Sequence, residues 1–209
     1  MPRPAHSRTL IYAPFMNMID QTDKTHPPRR SMRYDTPAEL FASLPQVRDL
    51  TQIRPRADED NLQYLFRLRG STTPEEAVTF TSFAALPTVA AGWGYECLRQ
   101  MADHLSPLER PLMQDIAAWI ANPVPSIRYK VMREALWAPS RSPSVLLGLA
   151  VGWSTGGPAP NDSLRPPPWR APQAVNSAVL SCLARAELSR RPIYLARFLD
   201  MAESLFRIY

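Results

Sequence analysis

The chain has 209 residues, 45% hydrophobic and 21% charged, a balance that suits one globular domain with ample material for a core. No run approaches the ~18 consecutive apolar residues of a membrane span, since the longest mainly apolar stretch, 145–153, is interrupted by Gly148 and Gly152. Two cysteines and three histidines exclude a disulfide framework or a zinc module, and the net charge of +5 is carried almost wholly by arginine. The 23 prolines are about twice the usual ~5% share, yet only 7 glycines accompany them, so proline is expected to punctuate ordered structure.

Residues 1–35 carry Arg3, Arg8, Lys24, Arg29, Arg30 and Arg33 against Asp20, Asp23 and Asp35, and read as a basic N-terminal arm. Its opening imitates a secretory leader, but Pro14 breaks the apolar stretch and no small-residue cleavage site precedes Asp20. Arg29-Arg30 lacks the apolar run that a twin-arginine signal needs. The arm is read as unprocessed and the protein as cytoplasmic. Within it, residues 10–19 hold Ile11, Tyr12, Phe15 and Met16 between polar, Pro-containing sequence. Such a segment suits docking into a groove, on its own domain or on a partner.

From residue 36 onward the sequence predicts a single all-α domain to the C-terminus. Thr36-Pro37-Ala38-Glu39, Thr73-Pro74-Glu75-Glu76 and Ser106-Pro107-Leu108-Glu109 share one design, with a capping hydroxyl, a proline at the first helical position and a glutamate completing the capping box. Ser142-Pro143 repeats its first half. These starts predict helices near 37–44, 74–86, 107–121 and 143–153. Apolar residues at helical spacing add 59–69, 88–104, 126–137, 172–188 and the C-terminal segment, where Leu195, Phe198, Leu199, Ala202, Leu205 and Phe206 share one face. About eight helices are expected, and the pairs at 74–104 and 107–137 could stack. Without a period of ~34–47 residues, an irregular multi-helix domain is the better description. One long connection, 154–171, holds Gly156, Gly157 and five prolines, and reads equally as a functional or mobile loop and as a strap packed over the helices by Trp169.

The catalytic signals fail on inspection. Gly152-Trp153-Ser154-Thr155-Gly156 matches G-x-S-x-G, but Gly157, Pro158 and Pro160 forbid the helix that a nucleophile elbow requires, and all three histidines precede Ser154. His104 follows a predicted helix with no second histidine one turn away, and the acidic run Asp58-Glu59-Asp60 sits where first-turn acids belong. No glycine-rich phosphate loop is present. No catalytic, cofactor or metal site is therefore assigned. Nucleic-acid binding is the main alternative, resting on Arg29, Arg30 and Arg33 with Tyr34, on Arg54 and Arg56, and on Arg165 and Arg170 beside Trp169. Near-neutral sequence separates these clusters, and no helix carries a basic stripe.

Thr73-Pro74-Glu75-Glu76-Ala77-Val78-Thr79-Phe80, Trp93 with Cys97-Leu98-Arg99, Ala118-Trp119 with Pro123 and Arg128, and 153–160 follow one another in a familiar order. Together they resemble an uncharacterised proteobacterial all-helical family, a domain of unknown function often encoded near type VI secretion clusters. The resemblance spans about 37–208, and this chain carries Thr155 where the family pattern runs from serine directly to two glycines. It implies a cytoplasmic accessory or adaptor of a contractile secretion machine, loading an effector or spike component, and carries over no catalytic residue. The combined expectation is a non-enzymatic protein-interaction module that meets a secretion component or effector, without membrane or cofactor. Its expected contacts are Ile11, Tyr12, Phe15, Met16, Arg29, Arg30, Gly156, Gly157, Trp169 and Arg170. Nucleic-acid binding and an immunity protein that blocks a secreted toxin are the alternatives.

Overall fold

Proline heads most of the helices, as the sequence leads one to expect. The computed structural model describes residues 31–162 and 164–207, so Ile11, Tyr12, Phe15, Met16, Arg29 and Arg30 lie outside the described residues. In chain order the α-helices are α1 (Pro37–Ser43), α2 (Gln46–Asp49), α3 (Asn61–Arg69), α4 (Glu76–Ala84), α5 (Pro87–Gln100), α6 (Arg110–Ala121), α7 (Pro125–Trp137), α8 (Pro143–Trp153), α9 (Arg170–Leu183) and α10 (Arg191–Phe206). Two 3₁₀ turns, Ala102–His104 and Pro107–Glu109, stand between α5 and α6. The fold is all-α, and the described residues contain no strand beyond one isolated bridge, Met32 to Ala85.

Local differences from the sequence reading have local causes. The helix expected from 107 opens as a 3₁₀ turn, and the one expected to reach 188 stops at Leu183. There the Arg191 guanidinium donates to the carbonyls of Ala184 and Ala186, satisfying groups that a continuing helix would have used. Helix α2 is a single turn after Pro45, too short to register as a period. At Thr73-Pro74-Glu75-Glu76 the capping box gives way to an anchor. One Glu76 oxygen accepts from the Thr73 hydroxyl at 2.8 Å and the other from the backbone N–H groups of Gln52 and Ile53 at 3.0 Å each.

Helices α8 and α9 form the centre of the domain, packed on each other and flanked by α4, α5 and α7. Nine of the eleven α8 residues are buried, as are all nine of α4. Helix α8 approaches α7 through two glycines one turn apart: a Cβ on Gly148 would lie 3.0 Å from that of Ala135, and one on Gly152 would lie 2.6–2.9 Å from Met132. The decoy glycine of the G-x-S-x-G match is thus a helix-packing residue.

Residues 31–35, counted with the arm in the sequence, are packed against the body. The Ser31 hydroxyl donates to the Leu205 carbonyl at 2.7 Å, Leu86 N–H donates to the Ser31 carbonyl, and Arg33 N–H to that of Ala84. Met32 is buried between them. The helices from α5 to α10 run back and forth, so the turns 101–109, 138–142 and 184–190 gather at one end of the bundle, and the long connection 154–169 lies at the other. Contacts between the first end's turns confirm this, since Arg185 donates to His104 O at 3.0 Å and Ser144 to Glu109 at 3.1 Å.

Candidate functional site

The strap is built around a buried cation. Arg128, on α7, is only 3% exposed and donates from one terminal nitrogen to Gly152 O at 2.6 Å and from the other to Gly157 O at 2.9 Å. No carboxylate pairs with it among the described residues. The free carbonyls at the C-terminal end of α8 supply the negative pole instead. Gly156 adopts φ +65°, and a Cβ there would meet the Arg128 guanidinium at 3.2 Å. A Cβ on Gly157 would fall 1.8 Å from Asp162 O, so the strap folds back on itself directly over that residue. Both glycines are therefore required by backbone path and close approach.

Trp169 is half-buried against the core, and the Arg170 guanidinium lies over the Trp153 ring, 5.3 Å from its centroid. Arg33 donates to Pro168 O at 3.1 Å, tying the N-terminal segment to the strap. The arginine clusters divide accordingly. Arg33 and Arg170 come to the same region, whereas Arg54 turns into its own loop, donating to carbonyls of Thr51 and Arg48.

A cleft of about 570 Å³ opens at the opposite end of the bundle, between the three gathered turns. At its base Glu109 is 5% exposed and accepts from Arg185 at 2.8 Å, Ser106 N–H at 2.9 Å and the Ser144 hydroxyl at 3.1 Å. Burial is the largest single influence and opposes ionisation, but the bonds from Arg185 and Ser106 and the charge of Arg185 help to outweigh it and hold the carboxyl at about 2. One side chain thus closes its own capping box, meets the start of α8 and fixes the turn after α9. Both of its oxygens are engaged, and it acts as a joint between these elements. Replacing Glu109 with glutamine is expected to cost about 2–3 kcal/mol, below the ~3–5 of a fully buried pair because Arg185 can hydrate when released. Because the carboxyl is more acidic in the folded chain, its contribution is complete above about pH 5 and is lost as pH falls toward about 2. Urea midpoints of wild type and Glu109→Gln should therefore converge on acidification; a constant difference would refute the pairing.

Other shifted groups among the described residues are held by burial or by an ion pair. Burial pushes the Cys97 thiol well up and that of Cys182 to about 12, and both are free and enclosed. Glu59 pairs with Arg67, whose hydrogen bond holds its carboxyl below the ordinary range, while neighbouring Asp60 caps α3. His104 stands edge-on to the Tyr194 ring. No group of three or more metal-ligating side chains occurs among the described residues, nor is any helix among them long and apolar enough to cross a membrane.

Leu108 lines the cleft, and three more large apolar side chains are exposed in or beside the turns at the same end of the bundle. Leu108 is 90% exposed, Trp137 84%, Leu188 76% and Ile193 54%. Leu108 stands four residues before Leu112 and reads as part of the core stripe of α6. The 3₁₀ turn advances about 120° per residue against about 100° in an α-helix, which swings it off that stripe. Trp137 ends α7, immediately before Ala138-Pro139, where the chain leaves the core.

Residues 64–206, from within α3 to the end of α10, match a family of unknown function, DUF6931. No curated protein and no solved structure matches the chain. The family match takes in the strap, its Arg128 anchor, the cleft and the exposed apolar residues at that end of the bundle, and the chain belongs to the DUF6931 family.

Proposed function

We propose that the protein is a non-catalytic interaction module that holds a protein partner at the cleft end of its helical bundle. The observation that carries this reading is the exposure of Leu108, Trp137, Leu188 and Ile193, each in or beside one of the turns that meet at the cleft end of the bundle. Monomeric proteins rarely leave several large apolar side chains together in water without a use for them, and exposed tryptophan is a frequent centre of binding energy. The Glu109 joint supports the same reading, because it holds rigid the turns that present these side chains. The resemblance to proteins encoded near type VI secretion clusters supports a finer version: a cytoplasmic adaptor that brings an effector or spike component to the secretion machine.

The test is capture from native cells with tagged wild-type protein and with a Leu108→Ala/Trp137→Ala variant, washed at low and high salt. Both side chains are exposed, so the variant should keep its stability within about 0.5 kcal/mol. A partner retained by wild type at high salt and lost from the variant is the expected result, and secretion components among the retained proteins would support the adaptor role. Equal retention by both proteins would remove the cleft end from the interaction. Nucleic acid held only at low salt would favour the arginine clusters.

A further inference from the structure

We propose that residues 164–168 of the strap are a preformed polyproline ligand for an aromatic-lined groove on a protein partner. The backbone of this segment is dictated by its sequence. Pro166, Pro167 and Pro168 have φ fixed near −65°, and Arg165, Pro166 and Pro167 each precede a proline, which excludes the helical region. The described residues contain no cis peptide bond. Arg165, Pro166 and Pro167, trans and so restricted, form a left-handed polyproline II turn three residues long, and Pro168 begins the turn into α9.

The segment is clamped on both sides. Before it, Leu164 N–H donates to the Asp162 carboxylate at 2.8 Å, and Asp162 lies against Gly157, which Arg128 holds. After it, Pro168 O accepts from Arg33 and Pro167 O from Arg170 N–H at 3.0 Å, and Trp169 is packed against the core. Between the clamps, Leu164, Arg165, Pro167 and Pro168 are exposed, Leu164 by 75%. The carbonyls of Arg165 and Pro166 accept no backbone hydrogen bond among the described residues. A structural tie needs the anchors at either side but gives no reason for an exposed proline ridge whose carbonyls take no backbone hydrogen bond among the described residues.

These are the features that aromatic grooves recognise. Proline rings pack between the groove's aromatic side chains, and unpaired carbonyls accept from its tryptophan or tyrosine. Little ordering entropy is lost, because the ligand is already fixed in the bound conformation. Arg165 gives the ridge a cationic flank that sets its direction against an acidic rim of the groove. This surface is at the opposite end of the bundle from Leu108 and Trp137, so the two proposals stand or fall separately.

The test places a photo-activated cross-linker at position 164 of the full-length protein in native cells, which leaves Arg165 and the prolines intact, identifies the adduct by mass, and measures binding of that purified protein to wild type and variants. The expected result is a protein adduct whose affinity falls at least about tenfold with Pro166→Ala/Pro167→Ala, while Leu108→Ala/Trp137→Ala leaves it unchanged. Arg165→Glu gives a second variant that leaves the proline backbone intact, and it should weaken binding as well. The absence of any adduct, or a partner that binds wild type and both strap variants equally, would overturn the proposal.

Discussion

Trp93→Ala is expected to lower stability by about 4 kcal/mol, within the range seen for removing a large aromatic side chain from a core. Trp93 is fully buried on α5, and its indole N–H donates to the Phe198 carbonyl of α10 at 3.1 Å, across 105 positions of sequence. The residue therefore fills the space between the two helices and also fixes their relative height. Surrounding side chains are themselves fully buried, so collapse into the vacated volume would be incomplete. A domain of this size should lose roughly 10 °C of melting temperature. Trp93→Phe keeps most of the packing and removes the donor, and its cost should be nearer about 1–2 kcal/mol. If the two variants proved equally unstable in urea titrations, the hydrogen bond would dominate over the volume, contrary to this reading.

The same tryptophan shows what could be read in the sequence. Its spacing with Cys97 and Met101 marks the inner face of α5, and all three are buried. Apolar periodicity and proline-headed caps place the helices because both are local properties, fixed within four residues by backbone hydrogen bonding and steric restriction. Joints between turns are not local. Glu109 is legible as a capping-box acid, but its bonds to Arg185 and Ser144 join positions far apart in sequence and leave no pattern. Arg128 is harder still. An arginine on an amphipathic helix ordinarily reads as a solvated residue, and only the arrival of the α8 terminus and the strap makes its burial possible. Gly156 and Gly157 were conspicuous in the sequence, yet their function as space for Arg128 and Asp162 appears only once the strap is folded back. The exposed apolar end was concealed for the opposite reason, because Leu108 conforms to the core period that a 3₁₀ turn then breaks. Ile11, Tyr12, Phe15 and Met16 of the basic arm lie outside the described residues.

Gly157→Ala should be the most damaging small substitution in the strap, costing about 3 kcal/mol or more. The added Cβ would lie 1.8 Å from Asp162 O and 2.8 Å from its carbonyl carbon, both backbone atoms that no rotamer change can move. Relief requires the loop to open, which withdraws Gly157 O from Arg128 and leaves a buried guanidinium with one carbonyl in place of two. Gly156→Ala is the control. Its left-handed φ costs about 1–2 kcal/mol, but the atom it meets at 3.2 Å is the end of a long side chain, which can shift. Urea titration should therefore rank Gly157→Ala well below Gly156→Ala, and hydrogen exchange should show faster exchange at the amides of Asp162 and Leu164 in the former. Equal stability of the two variants would mean that the strap does not close over Asp162. An opened strap would also lose the clamp before Leu164, so Gly157→Ala should weaken capture through position 164 even though every proline is retained. The binding segment would then depend on a glycine seven residues away, through the shape of the loop that presents it.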